Sequence, residues 1–401
     1  MTTRTDARRP VLMIVHSYYE EDPRVRREAE SLVRAGRPVV VLGLRRPGGP
    51  ATSDVDGVRV RHLDVQRHQG AGLGVYLREY LSFLGRAMVV AIRLHRRERF
   101  GLVQVHSLPD FLVFAALPLR IAGVPVLLDL HEAMPEFFRS RFPRASNALV
   151  HRLLVLQERL SVAASTATIT VNATMRARLI GLGVPASKVG VVVNSPSLGR
   201  FDSRAYPRRP FRADGRLRLV YTGALTPTYE LDVALAAVAR IAHTRPDLDV
   251  RFEVYGRGDS EPALRAQVAL LGVEDRVTFH GRVPIEDVPA RVASADIGLA
   301  PTRHDQFTDM SLSTKVFEYA AMGKPVVASR LPMVATTFPA GTVAAYAPGD
   351  AAALAEAILA FVDDPLAREA AVARTADIVR AGSWEHESVG YIALVDRLIG
   401  S

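Results

Sequence analysis

Cysteine is absent from this sequence, and lysine is nearly absent. Without cysteine the chain has no disulfide, no thiolate metal ligand and no cysteine nucleophile, which fits a reducing compartment. Only Lys188, Lys315 and Lys324 are lysines among 51 basic residues, so the formal net charge of +9 depends on arginine. The arginines are spread along the chain without a basic-aromatic recognition motif, so we predict no nucleic-acid partner. The charge still favours an acidic small molecule or an anionic lipid headgroup.

Long apolar runs are also missing. No segment approaches the roughly 20 apolar residues that span a bilayer, and the charged stretch from Met1 to Pro10 lacks the apolar core of a signal peptide. We therefore expect a cytoplasmic protein. Histidines and carboxylates do not cluster with the spacing of metal ligands, so the sequence predicts no metal requirement.

Short apolar runs alternate with helical patterns through the first half of the chain. The predicted strands are Val11–His16, Val39–Leu44, Val58–Leu63, Leu102–His106, Val124–Leu130, Ala167–Val171 and Val189–Val193. The predicted helices are Arg24–Ala35, Val75–Arg97, Phe111–Ala122, Ala145–Ala164 and Ala173–Leu182. This alternation predicts an α/β domain with a doubly wound parallel sheet, Rossmann-like, at residues 1–195.

A stretch rich in proline, serine and arginine at residues 196–216 interrupts the pattern and predicts a linker. The alternation resumes with strands at Leu217–Thr222, Val250–Tyr255, Val277–His280, Ile297–Pro301 and Pro325–Ser329. The predicted helices between them are Leu231–His243, Glu261–Leu271, Ile285–Ala293 and Ser313–Met322. We therefore place a second Rossmann-like domain at residues 217–380. We expect the two sheets to leave a cleft between them, with ligands at the carboxyl ends of the strands.

Residues 311–330 of the second domain combine a capped helix, a tight stop and a strand. Ser313 or Thr314 is the expected N-cap, and Gly323 ends the helix. Free amides and the positive end of the helix dipole bind anions at a helix start, and Lys315 adds a full charge. Glu318, one turn further on, is placed to accept hydrogen bonds from ribose, so the stretch predicts a nucleotide site. A glutamate in the first turn also stabilises a helix without a ligand, and helix, glycine and strand also form an ordinary α/β junction.

The run TKVFEYAAMGKPVVA at residues 314–328 resembles the donor-site signature of family-four retaining glycosyltransferases, which have the GT-B fold. Residues 22–32, DPRVRREAESL, are similar to the first helix in a subset of that family. The resemblance implies two Rossmann-like domains facing across a cleft, with the acceptor side in the first domain and the nucleotide sugar in the second. It also implies that a helix at residues 381–401 crosses back to the first domain. The donor is a co-substrate, so no cofactor is expected.

Three glycine loops follow strands of the second domain, at Gly223, at Gly256 with Arg257, and at Gly281 with Arg282. Glycine after a strand commonly marks only a turn, but three such loops at one sheet edge bring backbone amides close to a ligand. The resemblance implies that the base lies by Gly281 to Val283 and the ribose by Glu318. It places the diphosphate by Leu312, Ser313, Thr314 and Lys315.

His131 follows a predicted strand of the first domain, where a cleft-facing side chain is expected. A lone histidine is more often structural. The neighbours Met134 to Phe137 predict an irregular loop of the kind that contacts substrates. Members of the resembled family often place a histidine here against the donor sugar, so we assign His131 a catalytic role. Further candidates follow the preceding strand: His106, Ser107 and Asp110.

The chain departs from the resembled family at the diphosphate. The first of the family's two acidic residues, with Glu318 as the second, falls at Met310. The family's Arg and Lys after the first strand of the second domain are replaced by Ala224 and Tyr229. We expect Lys315 to stabilise the leaving diphosphate instead. Two arginines that follow strands of the same sheet are expected to assist, Arg257 and Arg303.

The predicted helix at residues 75–97 is apolar and has a basic end. It allows two interpretations: a helix on a membrane surface, or a crossover helix that packs on the core with a solvated tail, which we favour. Peripheral contact with the inner membrane surface therefore stays an alternative. The basic residues concerned are Arg93, His95, Arg96, Arg97 and Arg99.

Together these features predict a glycosyltransferase of the hexosyltransferase type that moves a sugar from a nucleoside-diphosphate sugar to a hydroxyl or amine. The resemblance implies retention of configuration by front-face transfer, with a donor phosphate oxygen helping to deprotonate the acceptor. A natural product, an envelope glycan and a lipid-linked sugar are all open as acceptors. One alternative is a nucleotide-sugar epimerase, because the same fold can carry a different function. The other is a degenerate transferase that acts as a binding partner, and the missing charges give this alternative some weight.

Overall fold

The computed structural model describes residues 8–68, 72–207 and 209–400 of the chain. Most of the charged N-terminal stretch, at residues 1–7, and position 208 of the predicted linker lie outside the described residues. The chain divides into two compact units, Met1–Asn194 with Glu387–Ser401, and Ser195–His386. We call them the N unit and the C unit. In the part of the chain that is described, no helix has both the length and the apolarity to cross a membrane.

The described part of the N unit is built on an eight-stranded sheet. Its strands are β1 Val11–Ile14, β2 Val39–Leu44, β3 Thr52–Val55, β4 Val58–Leu63, β5 Leu102–His106, β6 Val126–Leu130, β7 Ala167–Thr170 and β8 Val189–Val191. Its helices are α1 Pro23–Arg34, α2 Leu73–Glu98, α3 Leu117–Ile121, α4 Met134–Arg141, α5 Ala148–Ala164 and α6 Ala173–Gly181. The strand order is β3-β4-β2-β1-β5-β6-β7-β8, parallel except between β3 and β4. The order reverses between β1 and β5, which is where open α/β sheets bind ligands.

The described C unit has a six-stranded sheet, all parallel. Its strands are β9 Arg216–Thr222, β10 Asp249–Tyr255, β11 Val277–Gly281, β12 Ile297–Ala300, β13 Val326–Ser329 and β14 Ala344–Tyr346. Its helices are α7 Leu231–Thr244, α8 Glu261–Leu271, α9 Val288–Ala293, α10 Thr314–Ala321, α11 Pro332–Thr337, α12 Ala351–Asp363 and α13 Pro365–Ala381. A last helix, α14 Trp384–Gly400, starts in this unit and ends in the N unit. The order β11-β10-β9-β12-β13-β14 reverses between β9 and β12.

The predicted class of fold, two doubly wound parallel sheets, is confirmed. The strands form because their apolar runs are covered on both faces, as in β1, whose four residues are fully buried. Helix α1 starts where Asp22 accepts a hydrogen bond from the backbone N–H of Arg24 and Pro23 occupies the first helical position. Each unit therefore has its own core, and the loops at the carboxyl ends of its strands are free to carry the site.

Three local predictions are wrong. Residues 134–137 are not an irregular loop but the first turn of α4, where Pro135 fixes the backbone of a first-turn position. The predicted helix 111–122 is divided into a 3₁₀ helix, Asp110–Ala116, and α3, because Pro118 has no N–H to continue the helical ladder. Two short strands were missed: β3, whose alternate residues are exposed, and β14, which has only three residues.

Candidate functional site

The N unit carries a buried histidine–aspartate cluster at the carboxyl ends of β5 and β6. Because these strands are parallel neighbours in register, His106 lies directly opposite Asp129. Asp129 Oδ2 is 2.9 Å from His106 Nδ1 and 2.9 Å from His131 Nε2. The two imidazole rings are stacked, with centroids 5.7 Å apart. The backbone N–H of His131 donates to Ser107 Oγ at 3.0 Å, so four polar groups fix one another's positions.

The hydrogen bonds of the cluster determine which ring nitrogens carry protons. Burial alone would raise the pKa of Asp129, but the charge of His131 and hydrogen bonds from both rings hold it well below its usual range. Burial lowers the pKa of His131 despite the attraction of Asp129, so burial opposes protonation of the ring. A carboxylate only accepts hydrogen bonds, so both facing nitrogens are donors. The other two ring nitrogens, His106 Nε2 and His131 Nδ1, are buried and have no hydrogen-bond partner among the described residues.

A second layer of buried polar groups supports this cluster. Gln104, in β5, donates from Nε2 to Glu28 Oε2 at 2.5 Å and accepts from the hydroxyl of Tyr391 at 2.6 Å. Burial and the neighbouring Asp129 raise the pKa of Glu28 well above its usual range. Because Tyr391 belongs to the part of α14 that lies in the N unit, the C-terminal helix is anchored next to the cluster.

Four residues of this region offer atoms that suit a metal ion. Glu28, His106, Asp129 and His131 each place one ligand atom within 4.8 Å of the others. Sequence spacing gave no sign of this cluster, because its members are brought together by the fold from distant positions. Asp129 has partners without a metal, since it accepts two N–H groups and the buried guanidinium of Arg27 supplies positive charge beside Glu28 and Asp129. The absence of a metal requirement stays a prediction.

Asp110, the remaining candidate of the N unit, lies outside the hydrogen-bonded cluster. It opens the 3₁₀ helix Asp110–Ala116 and is fully buried. Neither carboxyl oxygen has a hydrogen-bond partner among the described residues. Burial and the nearby carboxylate of Glu158 raise the pKa of Asp110 well above its usual range, whereas Arg178 opposes the shift. The buried site therefore disfavours the ionised form of this side chain.

The three predicted glycine loops of the C unit lie together at the carboxyl ends of β9, β10 and β11. The N–H of Gly223 donates to the carbonyl of Tyr255 and the N–H of Gly256 to that of Gly281, each at 2.8 Å. A Cβ on Gly256 would lie 1.7 Å from the Gly223 carbonyl oxygen. Glycine is therefore required for the loops to pack against each other, which is a structural role in addition to any contact with a ligand.

Helix α10 is fixed next to the first of these loops. The hydroxyl of Tyr319 accepts from the backbone N–H of Thr222 at 2.9 Å, and Gly298 leaves room for the Tyr319 ring, which a Cβ there would approach to 2.3 Å. Ser313 is the N-cap, as expected, but its hydroxyl does not cap the helix and is buried without a partner among the described residues. The start of α10 thus presents unused hydrogen-bonding groups at the switch point of the sheet.

Lys315 is the buried cation of this corner. Its side chain is almost covered, with 7% of the residue exposed. The Nζ atom lies 3.8 Å from the ring centre of Tyr229 and 5.3 Å from that of Tyr221. A Cβ on Gly223 would lie 2.4 Å from Lys315 Cε, so this glycine makes room for the lysine. Within the described residues, Lys315 has no ion pair and no hydrogen bond from its ammonium group.

Two predicted arginines of the C unit have different surroundings in the structure. Arg257 lies beside Gly281, with Nε 3.5 Å from the position of a Cβ there. Arg303 donates from Nε to the carbonyl of Pro227 at 3.1 Å and lies 3.6 Å from Asp232, so it fastens the loop that carries Tyr229. The other predicted contacts lie at the start of α10 or directly after β11: Leu312, Thr314, Glu318, Arg282 and Val283.

A cavity of about 1140 Å³ in the C unit lies away from these groups, at the amino ends of β12 and β13. Its cations are already engaged. Lys324 donates to the carbonyls of Ala293 and Ala295, and Arg209 pairs with Asp214. An anion site requires cations without a partner, so we do not assign the anion site to this cavity despite its volume.

Two family models match the chain. The glycosyl transferase 4-like domain matches residues 22–195, and the model described as glycosyl transferases group 1 matches residues 216–364. A 2-deoxystreptamine glucosyltransferase of Streptomyces kanamyceticus is 26% identical over 357 residues, covering 83% of this chain and 89% of the relative. A phosphatidyl-myo-inositol mannosyltransferase of Mycobacterium leprae is 36% identical over 137 residues, 34% of this chain and 35% of the relative.

Solved structures share the fold over nearly the whole chain. Sucrose-phosphate synthase from Thermosynechococcus elongatus has a TM-score of 0.78 at 19% identity, covering 98% of this chain and 100% of that one. Anabaena HepE in complex with UDP and glucose has a TM-score of 0.71 at 15% identity, covering 97% and 99%.

Proposed function

The chain belongs to the group 1 glycosyltransferases and transfers a sugar from a nucleotide sugar, and from this premise we propose that its donor is a UDP-hexose and that transfer retains the anomeric configuration. UDP is supported by structural neighbours solved with UDP and with UDP-glucose. The resemblance of residues 314–328 to retaining enzymes supports the stereochemistry. The product is then an α-linked hexoside if the donor is α-configured.

One observation carries the donor site: a buried lysine without a counter-charge at the start of α10. Lys315, the free amides of the first helical turn and the unpartnered Ser313 hydroxyl form an anion site for the diphosphate. Glu318 accepts from the ribose, and the base lies along Gly281, Arg282 and Val283. Arg257 beside Gly281 assists with charge, whereas Arg303 acts by holding the Tyr229 loop.

During transfer, this site must stabilise the negative charge that develops on the leaving diphosphate. Lys315 and the helix start are already in place and already desolvated, so they need little reorganisation when the glycosidic bond breaks. In the N unit, burial lowers the pKa of His131, and its Nδ1, which has no partner among the described residues, accepts a hydrogen bond from a substrate hydroxyl. No step in this proposal requires a metal.

Two relatives indicate a class of acceptor. One acts on 2-deoxystreptamine and another on phosphatidyl-myo-inositol, so both acceptors contain a six-membered ring with several polar substituents. We propose a hydroxyl on such a ring, either free or carried on a lipid. We also propose that the enzyme works in the cytoplasm with peripheral contact to the inner membrane surface.

Calorimetry with UDP and a transfer assay test these proposals. UDP-glucose and other UDP-hexoses are incubated with free and lipid-linked cyclitol acceptors, and the anomeric coupling of the product is read by NMR. An α-linked product from an α-linked donor is expected, and a β-linked product would overturn retention. Conversion of the donor sugar without any acceptor would show an epimerase. Donor binding without transfer to any acceptor, including cell extract, would show a degenerate transferase, and no UDP binding at millimolar concentration would exclude the donor site.

A further inference from the structure

Helix α5 exposes a row of leucines that nothing in the described chain covers. Leu149, Leu153, Leu156 and Leu160 have 66%, 55%, 51% and 52% of their surface exposed. Their spacing of four, three and four residues places them on one face of the helix. The opposite side of α5 faces the protein through Glu158, Ser161 and Val162, which are buried. A stripe of this length is more than the scattered exposed apolar residue that needs no explanation.

Helix α2 has a second unpartnered apolar face. Only four of its 26 residues are buried, so the predicted role as a core-packing crossover accounts for one narrow side of the helix. Its exposed large apolar residues are Leu73, Val75, Leu77, Leu81 and Val89. Together α2 and α5 carry nine of the fifteen large hydrophobic residues that are exposed in the described chain. The apolar surface is therefore concentrated on two helices of one unit.

The charge on these two faces has one sign. Seven arginines are exposed and without an ion pair among the described residues: Arg78, Arg86, Arg93, Arg96 and Arg97 on α2, and Arg152 and Arg159 on α5. The carboxylates of both helices are engaged elsewhere. Glu79 is buried, Glu158 is bound by Arg178, and Glu98 pairs with Arg59 at the end of α2. Neither face therefore offers a free negative charge.

The two helices pack on a common support. Both pack on the 3₁₀ segment Asp110–Ala116, α2 through an edge contact between Tyr80 and Phe111. An open groove of about 540 Å³ lies between α2 and the end of β4. It is lined by Leu81 and Val89 with Arg86 and Arg93, and Asp64 is the one carboxylate among the described residues of its lining. Apolar and cationic groups thus alternate along the exposed side of α2.

We propose that the outer faces of α2 and α5 form a docking surface for an anionic lipid bilayer. Leucines enter the boundary between headgroups and acyl chains, while arginines keep their guanidinium groups at the level of the lipid phosphates. A second copy of this chain fits less well, because pairing two identical faces would bring arginines against arginines. The proposal deepens the peripheral location proposed above and rests on it. It favours an acceptor that is carried on a lipid.

Flotation with lipid vesicles tests this surface. The full chain is mixed with vesicles of phosphatidylcholine alone or with about one third phosphatidylglycerol. Binding is expected only with phosphatidylglycerol and is expected to weaken between 0.1 and 0.5 M salt, where exposed charges are screened. Leu153→Gln with Leu156→Gln should weaken binding by about tenfold or more, because glutamine buries less apolar area in the bilayer than the leucine it replaces. Arg152→Gln with Arg159→Gln should weaken binding and reduce its dependence on salt.

Matched controls distinguish the surface from the rest of the function. Leu270→Gln and Leu366→Gln remove leucines that are 87% and 80% exposed in the C unit, and they should leave vesicle binding unchanged. UDP affinity is measured by calorimetry on every variant. A variant that loses vesicle binding but keeps its UDP affinity has lost the docking surface and not the donor site. Equal vesicle binding by the α5 variant and the wild type overturns the proposal, as does no binding at low salt. A dimer in ultracentrifugation that the leucine changes convert to a monomer, without vesicle binding, would instead show a second copy as the occupant.

Discussion

The ammonium nitrogen of Lys315 lies 3.8 Å from the ring centre of Tyr229. A cation over an aromatic face is attracted by the ring quadrupole, which stabilises the charge without neutralising it. Tyr229 stands where the resembled family is expected to have a lysine. At this position the chain has an aromatic ring in place of a cation, and the ring contacts a different cation, Lys315. The ring of Tyr229 therefore holds the ammonium group of Lys315 in place for an incoming diphosphate.

Replacing Lys315 by methionine should weaken UDP binding by about 1.5–3 kcal/mol, the scale of a hydrogen bond to a charged group. Methionine keeps the length and apolar stem of the side chain, so the corner stays packed. Uridine, which lacks phosphates, should bind almost as before. Calorimetry of both ligands measures the difference, and Lys188→Met in the N unit is the matched control. Equal losses for UDP and uridine would mean that Lys315 supports the fold or the ribose.

The ring of Tyr229, and not its hydroxyl, should be what positions the lysine. Tyr229→Phe keeps the aromatic face and should leave UDP affinity within about twofold. Tyr229→Leu removes the face and should cost about 0.5–2 kcal/mol of UDP affinity, the range of a cation–π contact. Both affinities are measured by calorimetry. If the Phe variant lost as much as the Leu variant, the hydroxyl would be the functional group.

The order of strands and helices could be predicted from the sequence because buried parallel strands are continuous apolar runs, as in Val11–Ile14 and Val39–Leu44. Glycines at the carboxyl ends of β9, β10 and β11 likewise predicted that three loops meet. The helix at residues 134–141 was missed because proline and glutamate near a strand end suggest a loop as readily as a first helical turn.

The N-unit cluster could be predicted only in part. His106 and His131 were candidates because they follow strands, but Asp129 was overlooked inside an apolar run. A single carboxylate in a strand buried on both faces is a signal, because such a group must have partners. Glu28 and Tyr391 could not be found this way, since their contact depends on packing between elements far apart in sequence.

Asp129→Asn should lower kcat by about 100-fold and leave UDP affinity nearly unchanged. An amide oxygen lacks the negative charge of the carboxylate, so its hydrogen bonds from the two rings are weaker and the imidazoles are held less firmly. Small displacements of a reacting group carry costs of that order. His131→Ala should show the same pattern. Steady-state kinetics and UDP calorimetry check it, with the exposed Asp64→Asn as control.

The pH profile separates positioning from a general loss of structure. Asp129 raises the pKa of His131 against the larger effect of burial, so its removal should move the acid limb of kcat to lower pH. An unchanged acid limb, or a parallel fall in UDP affinity, would contradict this role for Asp129.

The cluster of Glu28, His106, Asp129 and His131 should not retain a metal. Asp129 already accepts from two rings, and burial lowers the pKa of Arg27 only to about 10, so this guanidinium remains a cation at neutral pH. Plasma mass spectrometry of the purified protein should find far less than one metal per chain, and EDTA should leave transfer unchanged. One zinc per chain that disappears in His106→Gln would show that the cluster is a metal site.

Asp110→Asn should stabilise the N unit at pH 7.5. The pKa of this buried carboxyl is raised in the folded protein, so its contribution to stability is complete below the unfolded value near 3.8 and is lost as the pH rises toward the folded value. An amide stays neutral at every pH and removes that loss, by about 1 kcal/mol or more on the usual scale of single changes. The gain should disappear near pH 4. Hydrogen exchange of peptides from residues 102–116, compared between variant and wild type at each pH, measures it. Destabilisation at pH 7.5 would instead mean that Asp110 is ionised and paired with Arg178.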